Sequence, residues 1–318
     1  MKNQRIRKSS RTCLEKCLLV RPDDSLLILS GRQARSLAEV FYEIAMSSQS
    51  RVFFLQTPMH VLRTGTVPAE LNALLHTINT LILIDSELNS HQLHDTLSAY
   101  PNLRVLCIST ASQSTFNRWM DTDFTRLANS TNKISDLLSI GNRLLLHTPD
   151  DTRVTMSIKR RKGIADTGVI NGHGNFCSLP AGEVRIRPEP GSVEGRITVQ
   201  LVPGNGKKPE AAQLIVSKGL VKQIRGNSAT AENLRKALRN RSGQGRSVVE
   251  FSFGTNFDAE FGKSSIEDVK VQGSATVAIG SYDNKNSALT VHAKAIMLSP
   301  TLSIDGRTVL QNGMLTLP

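Results

Sequence analysis

The two halves of the chain carry different hydrophobic patterns, and this change limits the possible folds more than any single motif does. In the first half, short and almost wholly apolar runs alternate with segments of helical spacing. The apolar runs are SLLILS (25–30), RVFFL (51–55), TLILI (80–84) and RVLCIS (104–109). Such runs are typical of parallel strands covered by helices on both faces. We therefore expect a Rossmann-like parallel α/β scaffold domain over residues 1–150.

From about residue 152 the pattern becomes one of alternating strands interrupted by glycine and proline. GEVRIRPEPGSVEGRITVQL (182–201) and ALTVHAKAIML (288–298) are examples, and one helical segment, TAENLRKALRN (230–240), lies between them. Alternation of this kind is typical of antiparallel, hairpin-connected strands. Since 318 residues suffice for two domains, we expect a strand-rich antiparallel domain over residues 151–318, giving an α/β plus α+β fold class.

The chain has a formal net charge of +12, which favours anionic partners. Much of the excess lies in residues 1–11 and in KRRKG (159–163). A basic run at a terminus is usually solvated, so residues 1–11 are expected to be a flexible tail. Aromatic residues make up only 4% of the chain, with Trp119 the single tryptophan. Binding of single-stranded nucleic acid relies on stacking rings, so the composition disfavours nucleic acid as a partner.

The four cysteines lack the paired spacing of a zinc finger, and neither a secretory signal nor a long apolar span is apparent. Cys13 and Cys17 would lie one helical turn apart, and two buried thiols are a better interpretation of them than a zinc site. We therefore expect a reduced, cytoplasmic compartment and no membrane association.

Four phrases of the second half resemble, in order and spacing, the aminopeptidase T family of leucyl aminopeptidases and the related iron-dependent 2,5-dihydroxypyridine dioxygenases. They are GNFCSLPAGEVRIRPEPGSVEG (174–195), EFSFGTNFDAEFGKSSIEDVKVQGSATVAIG (250–280), TVHAK (290–294) and PTLSIDGRTVLQNG (300–313). The opening strand and helix resemble the family as well, so the resemblance covers nearly the whole chain. It implies a homodimer with a cavity that admits peptides.

The resemblance also implies where a metal site would lie. The aminopeptidases hold two metal ions with two glutamates, three histidines and an aspartate. The glutamate positions are kept, whereas three of the other four positions have lost a ligand. The corresponding residues are Glu183, Glu250, Thr276, Thr290, His292 and Lys294.

A lysine ammonium has no lone pair to offer a metal, so Lys294 indicates a degenerate site without a metal cofactor. Strand alternation puts Thr290, His292 and Lys294 on one face. Near Glu183 and Glu250, Lys294 would supply a fixed positive charge and relieve the repulsion between the two carboxylates. The alternative cofactor is Zn or Fe, since the dioxygenase arrangement tolerates a hydroxyl at Thr276 and keeps His292.

Structural roles remain open for the same residues. Glu183 follows a Pro-Ala-Gly turn that it could cap, Glu250 could be a solvated charge at a strand end, and His292 could be structural. His173, in the glycine-rich phrase NGHGN, is a weaker candidate for a substitute metal ligand.

Arg185 and Arg187 alternate along GEVRIRP and therefore share a face beside Glu183. They could pair with acidic groups or a terminal carboxylate of a peptide, and a solvated strand face is an equally good alternative. The favoured function is a catalytically inactive, aminopeptidase-like protein that holds a peptide precursor in a biosynthetic pathway. The alternative is a metal-dependent aminopeptidase or ring-cleaving dioxygenase with altered ligands. Binding to nucleic acid or to another anionic surface is least favoured.

Overall fold

A computed structural model describes residues 2–48, 51–58, 67–170, 175–200, 210–282 and 289–316. The chain divides into two compact units, residues 1–128 with 166–181 and residues 129–165 with 182–318. This division differs from the expected boundary near residue 150, because the chain returns to the first unit before it completes the second.

The helices and strands are as follows. The helices are α1 Lys2–Thr12, α2 Arg35–Met46, α3 Ala69–Leu75, α4 Ser90–Leu97, α5 Gln113–Trp119, α6 Phe124–Ile140, α7 Ala229–Ala237 and α8 Ser265–Asp268. The first nine strands are β1 Ser25–Ser30, β2 Arg51–Gln56, β3 Thr80–Ile84, β4 Arg104–Ile108, β5 Arg143–His147, β6 Arg153–Ser157, β7 Ile164–Asp166, β8 Phe176–Leu179 and β9 Glu183–Ile186. The others are β10 Glu194–Gln200, β11 Ala211–Ser217, β12 Leu220–Arg225, β13 Ser247–Gly254, β14 Ser274–Tyr282, β15 Leu289–Leu298, β16 Thr301–Ile304, β17 Arg307–Gln311 and β18 Met314–Leu315.

The first unit is built on a parallel sheet with the strand order β2-β1-β3-β4-β8. The four apolar runs form β1 to β4, and β1 and β3 are buried along their whole length. Strand β8 comes from much later in the chain and pairs with β4, with Phe176 opposite Val105. This pairing explains why residues 166–181 belong to the first unit. The predicted parallel α/β domain is confirmed.

Residues 2–12 form helix α1 rather than the flexible tail that the basic composition suggested. Ile6 is only 1% exposed, and Arg5 and Arg7 form ion pairs with Asp121 (2.7 Å) and Glu43 (2.6 Å). Exposed ion pairs of this kind stabilise little, so burial of apolar surface is the stronger contribution. The prediction of a flexible tail was wrong because this segment, although otherwise polar and charged, buries Ile6 and forms a helix.

All four cysteines are buried thiols of the first unit. Cys13 and Cys17 lie in a single π-helical turn that follows α1. Burial raises the pKa of the Cys13 and Cys177 thiols well above the ordinary value. A thiol with a raised pKa is a poor nucleophile at neutral pH, so these side chains act as core residues.

The second unit contains a thirteen-stranded sheet within the described residues, and the pairings between its strands are antiparallel wherever their register is defined. Its main path runs β11-β12-β13-β14-β15-β10-β6-β5-β16-β17-β18, and β9 attaches to the side of β13. The predicted strand-rich antiparallel domain is therefore confirmed. No helix in the described part of the chain is long and apolar enough to span a membrane.

Candidate functional site

Strands β9, β13, β14 and β15 of the second unit present one apolar and one polar face. The apolar face, which includes Val184, Phe251, Val277 and Ala295, belongs to the core of this unit. Directly paired residues of antiparallel strands share a face, so the register assembles the opposite side. This polar face consists of Glu183, Arg185, Glu250, Ser252, Thr276 and Lys294.

Two rows of residues cross the polar face. One row joins Arg185, Ser252 and Thr276, which lie opposite one another on β9, β13 and β14. The other joins Glu250 on β13 to Lys294 on β15 across Ala278 of β14. All six ancestral metal-site positions lie on these four strands, and three of them, Glu250, Thr276 and Lys294, belong to the two rows.

Register shifts where β14 pairs with β13 and with β15 determine which residues form the second row. The register shifts between Val248 and Glu250 on β13, and between Ile279 and Gly280 where β14 meets β15 at His292. β-Bulges of this kind re-aim side chains and are common beside functional sites. Because of the second shift Thr290 lies opposite Ser281, whereas Lys294 lies opposite Ala278. Positions 278 and 281 of one strand face opposite sides, so the prediction that Thr290 shares the face of Lys294 was wrong.

The small side chain of Ala278 leaves room for its neighbours. Strands lie about 4.8 Å apart, so the backbones of Glu250 and Lys294 are about 10 Å apart with only a methyl group between them. The two long side chains can therefore approach each other above Ala278. Burial lowers the pKa of Lys294, and Glu183 and Glu250 oppose this change because their carboxylates attract the ammonium.

Glu183 is paired with a lysine that lies outside the four strands. The Nζ of Lys270 donates to Oε2 of Glu183 at 2.6 Å, and each side chain is only 2% exposed. Lys270 follows the short helix α8, and its segment lies directly against Gly254, which is opposite Glu183. A Cβ at Gly254 would overlap the carbonyl oxygen of Val271, so the glycine permits this close approach.

Glu250 is held by the two arginines of β9. The Nε of Arg187 donates to Oε2 of Glu250 at 3.1 Å, and a terminal nitrogen of Arg185 donates to the same oxygen at 3.4 Å. Glu250 is 2% exposed, which excludes a solvated charge at a strand end. Arg185 is 5% exposed, which excludes a solvated strand face for this side chain. The role of Arg185 and Arg187 in peptide binding stays a prediction.

Lys294 keeps access to solvent although protein surrounds much of it. Its side chain is exposed, yet desolvation lowers its pKa, with Lys270 and Arg185 lowering it further and the two glutamates opposing the change. Lys294 is therefore a basic group of the polar face that solvent can reach.

His292 and the two threonines complete the ancestral set. The Nε2 of His292 lies 3.5 Å from the hydroxyl of Ser281, and burial, with a contribution from Arg241, lowers the histidine pKa below 6.5. The hydroxyl of Thr276 is buried and has no hydrogen-bond partner in the described structure, and Thr290 is exposed. His173 lies outside the described residues.

These donors do not fit a divalent metal ion. Both carboxylates are already engaged by buried cations, Lys294 brings a further positive charge, and a neutral threonine hydroxyl is a weak ligand. His292 supplies the single imidazole of the set. The described residues contain no group of three or more histidine, cysteine, aspartate or glutamate side chains that could hold a metal ion.

Sequence reasoning missed Lys270, although the phrase SIEDVKVQG that contains it was noted for its resemblance. Its one local signal is a lysine between two valines just before a turn glycine. This pattern is also typical of an exposed strand end. The role of Lys270 depends on the approach to Gly254, which only the tertiary structure reveals.

Comparisons with known proteins agree with the resemblance. The NicX family model, described as 2,5-dihydroxypyridine 5,6-dioxygenase, matches residues 6–317. The structure of 2,5-dihydroxypyridine dioxygenase from Pseudomonas putida KT2440 has a TM-score of 0.79 and 15% identity, with 99% of this chain and 98% of that chain covered. Wild-type AmpT from Thermus thermophilus has a TM-score of 0.65 and 12% identity, with 99% of each chain covered.

At these identities the structural likeness shows the fold, and no curated protein sequence matches. The family model, in contrast, covers nearly every residue. This chain therefore belongs to the NicX family.

Proposed function

We propose that this protein binds a ligand on the polar face without a divalent metal, as an aminopeptidase-like binding protein rather than a catalyst. The observation that supports this most strongly is the 2.6 Å pair between Lys270 and Glu183. A metal bound at Glu183 would have to expel a buried ammonium and place more positive charge beside Lys294. Since an uncompensated buried charge is very costly, this exchange is unfavourable.

The charge of the polar face supports an anionic ligand. Four cationic side chains, Arg185, Arg187, Lys270 and Lys294, surround two carboxylates, which leaves a formal excess of two positive charges. A peptide with acidic groups fits this excess. The biosynthetic pathway, the peptide precursor and the homodimer stay predictions.

An activity assay tests the proposal. The purified protein is incubated with leucine p-nitroanilide or with 2,5-dihydroxypyridine, each with added Zn²⁺, Co²⁺, Mn²⁺ or, under anaerobic preparation, Fe²⁺. We expect no turnover above a protein-free blank. Turnover that disappears in both Glu250→Gln and His292→Ala would refute the proposal, whereas turnover that persists equally in both variants identifies a contaminating enzyme.

The second candidate function is a metal-dependent oxygenase or aminopeptidase, and the match of the NicX model to residues 6–317 favours it. Glu183, Glu250 and His292 would then supply the protein ligands, and Lys270 would have to leave Glu183. A thermal shift separates the candidates. A metalloenzyme is stabilised by one of these ions in the wild type and not in His292→Ala, whereas the binding protein responds to none of them.

A further inference from the structure

One buried hydroxyl on the polar face lacks a hydrogen-bond partner. Thr276 is 4% exposed, and its Oγ1 contacts no donor or acceptor in the described part of the chain. A buried polar group without a partner is destabilising, and most such groups in folded proteins are satisfied. An unpartnered hydroxyl on a charged face therefore indicates a position where a ligand completes the hydrogen bonding.

Thr276 lies diagonally next to Lys294. Thr276 is two residues from Ala278 on β14, and Ala278 lies directly opposite Lys294 on β15. Diagonal neighbours on one face of a sheet have Cβ atoms roughly 7–8 Å apart, which is within reach of a long side chain. A two-oxygen anion between them can accept from the hydroxyl with one oxygen and from the ammonium with the other.

The surrounding charge favours the same class of ligand. Four cationic side chains, Arg185, Arg187, Lys270 and Lys294, surround the two carboxylates of the polar face, and two further arginines lie near residues of β14 and β15. Arg161 lies near Tyr282, and Arg241 lies near His292. A surface with an excess of one charge attracts counter-ions of the opposite sign. A neutral or cationic ligand would leave this excess uncompensated.

We propose that the ligand of this site carries a carboxylate that binds between the hydroxyl of Thr276 and the ammonium of Lys294. The inference rests on the proposed function. If a divalent metal were bound at these positions, the metal itself would bind the ligand's carboxylate in place of Thr276 and Lys294. Two sources of the carboxylate are compatible with it, a free dicarboxylate and an acidic peptide. The carboxylate of the ligand would thus compensate the positive charge that Glu183 and Glu250 do not.

Isothermal titration calorimetry on protein dialysed against a chelator tests the inference. The probes are glutarate, N-acetyl-glutamyl-glutamate and its neutral counterpart N-acetyl-glutaminyl-glutamine amide. We expect at least one carboxylate probe to bind and the neutral peptide not to bind. Binding by glutarate identifies a small-molecule site, and binding by the acidic peptide alone identifies a peptide site.

The variants assign the contacts. Thr276→Val and Lys294→Met should each lower the affinity for the carboxylate probe by about tenfold or more, since hydrogen bonds to charged groups contribute strongly to binding. Lys294→Arg keeps the charge with a different geometry, so it should weaken binding less than Lys294→Met does. Lys222→Met, at an exposed lysine of β12, is the matched control and should not change binding.

A stability measurement separates a ligand contact from a structural role. The ligand-free Thr276→Val protein should unfold at a temperature equal to or above that of the wild type, because the substitution removes an unpartnered polar group. Unchanged affinity in both Thr276→Val and Lys294→Met, or no binding of either carboxylate by the metal-free protein, would overturn the inference and leave the proposed function intact. Activity or stoichiometric metal would overturn the proposed function instead.

Discussion

The buried pair between Lys270 and Glu183 gives the most exacting stability prediction. Replacing Lys270 with methionine preserves most of the side-chain volume and removes the ammonium, which leaves Glu183 buried without its 2.6 Å partner. Breaking a buried ion pair by removing one partner typically costs about 3–5 kcal/mol. Lys294 also attracts Glu183, so we expect the lower end of this range, about 3 kcal/mol.

A double-mutant cycle isolates the pair. Glu183→Gln alone leaves the Lys270 ammonium without its carboxylate and should be destabilising as well. The double variant, Lys270→Met with Glu183→Gln, removes both charges. Its loss of free energy of unfolding should therefore be smaller than the sum of the losses in the two single variants by about 2 kcal/mol or more. Lys263→Met is the matched control, because the 3.0 Å pair of Lys263 with Glu260 is exposed and should contribute about 0–1 kcal/mol.

Native-state hydrogen exchange of β13 amides is the suitable assay, since it reports the second unit separately when the two units unfold independently. Peptides covering residues 247–254 should exchange faster in Lys270→Met by the factor that corresponds to the predicted loss. A cost below about 1 kcal/mol for Lys270→Met, or additive single and double variants, would refute the claim that this pair is a coupled buried one.

Three further predictions concern titration and assembly. The ring of His292 should titrate below pH 6.5 in an NMR experiment whose signal is assigned with His292→Gln, because burial disfavours the charged ring. The stability that depends on the neutral ring is therefore lost as the pH falls from the unfolded-state pKa through the native pKa of His292. Titration above pH 6.5 would contradict this. Asp305 accepts hydrogen bonds from the backbone N–H groups of Arg143 (2.8 Å) and Asn142 (3.0 Å), and these bonds lower its pKa. Its contribution to the free energy of unfolding is therefore present above the unfolded-state pKa of about 3.9 and is lost as the pH falls through the native pKa. Asp305→Asn should accordingly lower the melting temperature at pH 7 and have less effect at pH 2.5, and an equal effect at both values would exclude the charge as the cause. The protein should also have the mass of a homodimer in light scattering at micromolar concentration, with an interface of at least about 1,000 Å²; a monomer would contradict the resemblance-based prediction.

The fold class could be predicted from local patterns because each domain repeats its own. Apolar runs and helical spacing recur through the first unit, and two-residue alternation recurs through the second. The boundary could not be predicted, because β8 is a four-residue strand whose partner β4 lies about 70 positions earlier. Nothing within FCSL itself indicates which sheet it will extend.

The resemblance could group the residues of the candidate site, but it could not predict their contacts. It grouped Glu183, Glu250 and Lys294, and the strand register aligns the last two across β14. The bulge at His292 depends on how β14 and β15 pair, so strict alternation misplaced Thr290. Lys270 acts through a loop that approaches Gly254, and this tertiary contact has no signature in the spacing of the sequence.

The metal content of the protein tests the central claim most directly. The protein is purified without chelators, incubated in turn with Zn²⁺, Co²⁺, Mn²⁺ and Fe²⁺, desalted and analysed by inductively coupled plasma mass spectrometry, with Glu183→Gln and His292→Ala prepared in parallel. Because buried cations already occupy the carboxylates, we expect far less than one metal ion per chain and no difference between the wild type and the variants. One metal ion per chain in the wild type, lost in both variants, would contradict the account.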